Sequence, residues 1–132
     1  MAGVIVADTS WVAALRDPAD AHHAAAAGSS EEIGDETVLV AVVTLAECLV
    51  APAQLERVEE AELALRSAFD VEILDDTAPA RWASRRAASG LRLPDAIVLE
   101  TALHHGARGV ATFDARLAKQ CRAAGLEVLG AV

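Results

Sequence analysis

Four carboxylates in this 132-residue chain stand at the ends of apolar runs, where a fold can turn them toward one rim. Asp8 follows Val4-Ile5-Val6-Ala7, and Asp114 follows Val110-Ala111-Thr112-Phe113. Glu47 comes shortly after the run that begins at Val38, and Asp95 follows Pro94. Each has a local explanation. Asp8 and Asp114 suit helix N-caps, whose oxygens accept from free backbone N–H groups. Thr44-Leu45-Ala46-Glu47 fits a capping box, in which Glu47 reaches back to the Thr44 N–H. Asp95 suits the positive end of a helix dipole. The set has a second explanation. Two like charges about 4 Å apart repel by about 4 kcal/mol at an effective dielectric near 20. Four gathered carboxylates must therefore protonate, splay apart or share a cation. Oxygen-only donors favour Mg²⁺ or Mn²⁺ over Zn²⁺. Such an ion takes further ligands from substrate phosphates and activates a water, so the chemistry implied is phosphodiester hydrolysis.

The elements that must position these acids alternate. Strands are predicted at 3–7, 38–42, 71–74, 109–112 and 126–129. Helices are predicted at 9–15, 19–27, 45–50, 54–69, 78–89, 95–105 and 115–124. Gly28-Ser29-Ser30 reads as a loop, Pro52 as the close of the third helix, and Gly90, Gly106 and Gly125 as helix stops. This βα alternation predicts one α/β domain over residues 1–132, with a mostly parallel five-stranded sheet and helices on both faces. Ligands of such sheets sit beyond the carboxyl ends of the strands. If the first and fourth strands are neighbours, all four acids meet at that rim.

Composition narrows the rest. Acids outnumber bases by 20 to 11, a net charge of −9, which argues against a nucleic-acid coat or an anionic-membrane binder. A nuclease survives the argument, because a bound divalent cation inverts the local field. Apolar residues are 54% of the chain, too many for disorder. Cys48 and Cys121 fit no CxxC pattern and read as small buried residues in a reducing compartment. Nothing at Met1-Ala2-Gly3 resembles a leader. The longest apolar stretch, 38–53, is interrupted by Thr44, Glu47 and Pro52, so no membrane span is predicted. The expectation is a soluble, cytoplasmic protein.

Val4-Ile5-Val6-Ala7-Asp8-Thr9-Ser10 resembles the opening of PIN-domain ribonucleases, especially VapC toxins of bacterial toxin–antitoxin pairs. Thr44-Leu45-Ala46-Glu47, Leu93-Pro94-Asp95-Ala96-Ile97-Val98 with Thr101-Ala102-Leu103, and Val110-Ala111-Thr112-Phe113-Asp114 are similar to that family's later motifs, in the same order. The resemblance covers essentially the whole chain. It implies a three-layer αβα PIN-like fold with sheet order 3-2-1-4-5, which would set the first and fourth strands side by side. It implies a Mg²⁺-dependent endoribonuclease, with Mn²⁺ as the alternative ion, using Asp8, Glu47, Asp95 and Asp114 as ligands and catalytic acids. One or two ions would activate a water for in-line attack on an RNA phosphate. Ser10 and Thr112 would orient a carboxylate or a water by hydrogen bonding. The partners implied are an RNA substrate, a cognate antitoxin protein and a second copy in a homodimer. A PIN-like interaction module without activity is the alternative.

Arg81, Arg85, Arg86 and Arg92 lie in a carboxylate-free stretch before Asp95. They read as an RNA path, with Arg85 and Arg86 as contacts, or as a solvated helix face. His22-His23 and His104-His105 are adjacent pairs whose helical neighbours diverge by about 100°, so neither suits a metal. Trp11, Val12 and Leu15 read as core, or as a groove for an antitoxin helix. A response-regulator receiver would need a lysine at the fifth strand, whereas the only one, Lys119, lies in a helix. A haloacid-dehalogenase-type phosphatase would need an acid where Ser10 stands.

Overall fold

The computed structural model describes residues 3–130; Met1-Ala2, read above for a leader, and the last two residues lie outside them. The strands are β1 (Val4–Ala7), β2 (Thr37–Val40), β3 (Asp70–Val71), β4 (Gly109–Ala111) and β5 (Glu127–Leu129). The helices are α1 (Thr9–Arg16), α2 (His23–Ile33), α3 (Val42–Gln54), α4 (Val58–Ala68), α5 (Ala78–Ser89), α6 (Leu93–His104) and α7 (Ala115–Ala123). Every strand pair is parallel, and the order is β3-β2-β1-β4-β5. β1 therefore lies between β2 and β4, with Ala7 beside Ala111.

Alternating side chains divide the core between the two faces of the sheet. Ile5, Ala7, Val40 and Ala111 pack with Trp11, Val12, Ala26, Leu45 and Leu65 of α1 to α4. Val6, Leu39 and Val110 pack with Ala96, Val98, Leu99, Leu117 and Cys121 of α6 and α7. The central strands are apolar on both faces because helices cover both. Gly109 is required where β4 meets β5, since a Cβ there would lie 2.6 Å from the Glu127 carbonyl oxygen.

Several predicted boundaries move. Gly28-Ser29-Ser30 is helical, not a loop: α2 continues to Ile33 and stops at Gly34, whose φ is +58°. Ser29 is held inside that helix because its hydroxyl donates back to Ala25 and Ala26 carbonyls and accepts from the buried Trp11 indole N–H at 2.8 Å. Pro52 does not close its helix. It sits in the last turn of α3, where the one lost i→i−4 bond ends little further helix. The predicted helix 54–69 divides at Leu55-Glu56-Arg57, where Glu56 takes a φ of +57°. The strand predicted at 71–74 is only Asp70–Val71, and Ile73 beyond it is 92% exposed.

Candidate active site

Asp8 leaves the end of β1 and becomes the N-cap of α1. Its Oδ1 accepts from the Trp11 backbone N–H at 3.0 Å and from the Ser10 hydroxyl at 2.7 Å. Its Oδ2 accepts from the Thr112 hydroxyl. Asp114 caps α7 in the same manner, with Oδ1 accepting from the Leu117 N–H at 2.9 Å. One further bond joins the junctions that follow β1 and β4, the Phe113 N–H donating to Ser10 Oγ at 3.0 Å. Within the second junction the Asp114 N–H donates to Thr112 Oγ1 at 2.9 Å. Ser10 and Thr112 thus lace the two acid-bearing turns together. Adjacent parallel strands that end in register, Ala7 beside Ala111, make this possible.

Asp95 enters from the first turn of α6, whose start is fixed by Pro94. Arg92 approaches it at 3.5 Å. Burial pushes the Asp95 carboxyl above its ordinary range; the charges of Asp114 and Asp8 add to this, and Arg92 opposes it. Burial likewise raises Asp8, which is 5% exposed; its hydroxyl and N–H donors oppose the rise, and Asp114 adds to it. Three carboxylates from three separate segments therefore feel one another's charge.

Glu47 reaches the same end of the sheet from α3. The predicted capping box does not form, because α3 begins earlier: the Leu45 N–H already bonds to the Ala41 carbonyl at 3.1 Å. Thr44 is then inside the helix, buried, with no partner for its hydroxyl. Glu47 is exposed, and its Oε1 accepts from the Thr9 hydroxyl at 2.7 Å. Nothing in the sequence spacing pointed to Thr9 as a partner across 38 residues.

All-carboxylate donors suit a hard cation such as Mg²⁺ or Mn²⁺, and Mg²⁺ needs only one or two of them because it keeps several waters. Among the described residues, however, no three His, Cys, Asp or Glu side chains form a ready-made ligand set. The donor chemistry fits a hydrated ion, not a closed protein cage. Cys48 and Cys121 are free thiols that burial pushes up to about 11 and about 12, so both are protonated at neutral pH in the metal-free protein.

The arginines divide. Arg81 and Arg85 both bond to Glu100 on α6, at 3.2 and 3.1 Å, and so fasten α5 to α6. Arg86 is exposed. Arg92, Arg116 and Lys119 line a cleft of about 480 Å³ with Asp95 and Asp114. Arg116 and Lys119 were not singled out from the sequence, although their one-turn spacing directly after Asp114 was a usable signal. His22 stacks on Phe113, His23 Nδ1 lies 2.8 Å from the Ala14 carbonyl, and His105 Nε2 lies 2.8 Å from Glu72. Trp11 and Val12 are buried and serve as core, whereas Leu15 is half-buried and lines a surface groove of about 700 Å³ with Ile33, Val38 and Phe69.

A parallel 3-2-1-4-5 sheet with acids after its first and fourth strands defines an α/β protein of the PIN type. The PIN-domain profile matches residues 5–123, and the chain belongs to that family. Among solved structures, a toxin–antitoxin complex from Klebsiella pneumoniae is 23% identical with a TM-score of 0.67, covering 83% of this chain and 86% of that one. Mycobacterium tuberculosis VapC20, a toxin that cleaves the sarcin–ricin loop, is 24% identical with a TM-score of 0.70, covering 93% and 96%. VapBC2 from Rickettsia felis, bound to a DNA fragment from its promoter, is 12% identical with a TM-score of 0.69, covering 95% and 96%. No curated protein sequence matches the chain. No helix among the described residues is long and apolar enough to cross a membrane.

Proposed function

We infer that this chain is a divalent-cation-dependent endoribonuclease, the toxin half of a toxin–antitoxin pair. The observation that carries the reading is that Asp8 and Asp114 leave the adjacent ends of β1 and β4, laced by Ser10 and Thr112, while Asp95 lines one cleft with Asp114. Membership of the PIN family and the likeness to VapC20 support nuclease chemistry. Asp8, Asp95 and Asp114, with Glu47 at the exposed margin, would hold Mg²⁺ or Mn²⁺. When bound, such an ion supplies positive charge to a phosphoryl oxygen and an acidified water. The chain's own residues supply position. Ser10 and Thr112 hold the Asp8 carboxylate in one rotamer by donating to its two oxygens. Thr9 holds Glu47 by the same means. Arg92 balances charge at Asp95.

The likeness to toxin–antitoxin complexes supports a protein partner. Val50, Leu55 and Leu63 on and between α3 and α4 are more than half exposed, an apolar surface suited to burial by an antitoxin or by a second copy of the chain. A net charge of −9 suits a basic antitoxin segment. One observation favours the alternative of an interaction module without activity, namely the absence of a ready three-donor set among the described residues. Cleavage of single-stranded RNA with Mg²⁺, with Mn²⁺ and with EDTA decides between them. Cation-dependent cleavage by wild type that Asp8→Asn abolishes supports the nuclease. No cleavage with either ion, together with no heat on Mn²⁺ titration, leaves the interaction module.

A further inference from the structure

Beside Asp95 and Asp114, the cleft of about 480 Å³ carries three cations, Arg92, Arg116 and Lys119, against those two carboxylates. This local excess of positive charge occurs in a chain whose net charge is −9. Arg116 and Lys119 stand one turn apart on α7, so both project from one face, while Leu117, Ala118 and Cys121 take the buried face. Both are exposed, and no carboxylate pairs with either among the described residues. Arg81 and Arg85 of α5 are engaged elsewhere, since both hold Glu100. Arg92 reaches Asp95 only at 3.5 Å and leaves 76% of its side chain exposed.

We propose that the Arg92–Arg116–Lys119 cleft is a backbone subsite for single-stranded RNA, holding the phosphates next to the one being cleaved. The proposal rests on the reading of Asp8, Asp95 and Asp114 as the cleavage site. Chain continuity carries the argument. A strand whose scissile phosphate lies at Asp95 and Asp114 must lay its neighbouring phosphates along the adjoining wall, and that wall is this cleft. Its volume falls in the ~300–1,000 Å³ range of ligand sites, room for a nucleotide unit. Elsewhere an acidic surface repels the strand, so the cleft also fixes the direction of approach. Contacts of this kind position the backbone and do not read bases. The RNA path thus runs along α7, while Arg81 and Arg85 of α5 hold Glu100.

The test uses the double variant Arg116→Ala/Lys119→Ala and a fluorescein-labelled, mixed-sequence 20-nucleotide RNA. Binding is followed by anisotropy in EDTA across a salt series, and cleavage is followed with Mg²⁺. Each lost phosphate contact lowers the log–log salt slope by about 0.7 for a single strand, so the double variant should lose about 1.4. That corresponds to about 25-fold weaker binding at 0.1 M salt with the 1 M value unchanged. KM for cleavage should rise while kcat holds. Arg57→Ala/Arg66→Ala removes the same charge away from the cleft and should leave slope and KM unchanged; melting curves establish that both doubles fold. Equal losses in the two doubles would reduce the effect to bulk charge and overturn the subsite. An unchanged slope and KM in the cleft double, with wild-type cleavage intact, overturns the subsite and leaves the nuclease reading standing. Weakened capture of the antitoxin with unchanged RNA binding assigns the cleft to protein and likewise overturns it. Failure of wild type to cleave with either ion overturns the nuclease reading and the subsite with it.

Discussion

Asp8 uses its two oxygens differently, and that division separates two consequences of removing it. Oδ1 caps α1 through the Trp11 N–H, whereas Oδ2 faces Thr112. Asp8→Asn keeps an acceptor for the cap and removes the charge. It should abolish cation-dependent cleavage while leaving the melting temperature in EDTA unchanged or raised. Asp8→Ala also loses the cap, so it should melt lower than Asp8→Asn by the equivalent of about 1 kcal/mol. The pH dependence follows from the raised carboxyls of Asp8 and Asp95. A group raised on folding contributes stability that is full below its unfolded value, about pH 4, and is lost as pH rises through the folded value. The advantage of Asp8→Asn over wild type in EDTA should therefore grow from about pH 4 toward neutrality; a constant difference would contradict the assignment. Thr112→Val removes a hydroxyl that orients Asp8 and should weaken Mn²⁺ binding about 10–100-fold by calorimetry. At this scale Asp8, Asp95 and Asp114 were legible because each sits beside a strand end or a proline, whereas Ser10 and Thr112 came only from the resemblance to PIN-domain ribonucleases. The Thr9–Glu47 bond was not, because only folding brings residues 38 apart into contact.

Two elements are held by interactions that a boundary prediction does not see. α1 and α2 are joined by the Trp11 indole N–H, which donates to Ser29. Ser29→Ala leaves that buried donor unpaired and should cost about 1–3 kcal/mol in urea unfolding. In α5 only Ala78 is buried, and the helix depends on the Arg81 and Arg85 bonds to Glu100. Glu100→Ala should therefore raise amide exchange in α5 before the sheet responds, with a stability loss of about 1–3 kcal/mol, between the values for exposed and buried pairs. The same kind of interaction explains the misplaced boundaries. Gly28-Ser29-Ser30 has loop composition, but the Trp11 partner and the back-bonded Ser29 hydroxyl keep it helical. Val42 and Val43 have strand composition, but β2 ends at Val40 and α3 starts within two residues. Local preference is worth tenths of a kcal/mol per residue, and packing outweighs it.

Across the whole molecule, cation binding and folding are linked. An ion that binds the folded chain and not the unfolded one stabilises it by about 2.7 kcal/mol at one hundred times its Kd. For a domain near this length that is a rise of roughly 10 °C in Tm. Mn²⁺ should produce it in wild type, and Asp8→Asn should not show it; an equal shift in both would place the ion elsewhere. The order of elements and the acids at their edges were set by local composition, since a strand buried on both faces must be apolar and a helix start favours an acid. That is why the five strands, their parallel class and Asp8, Asp95 and Asp114 can be read from the chain alone. Which strands lie side by side is a property of the packed sheet, and residue types by themselves carry no signal for it; the family motifs supplied that expectation. Only the tertiary structure decided that Arg81 and Arg85 bind Glu100 while Arg116 and Lys119 face the acids, because a side chain's partner depends on distances between segments that the covalent chain leaves free.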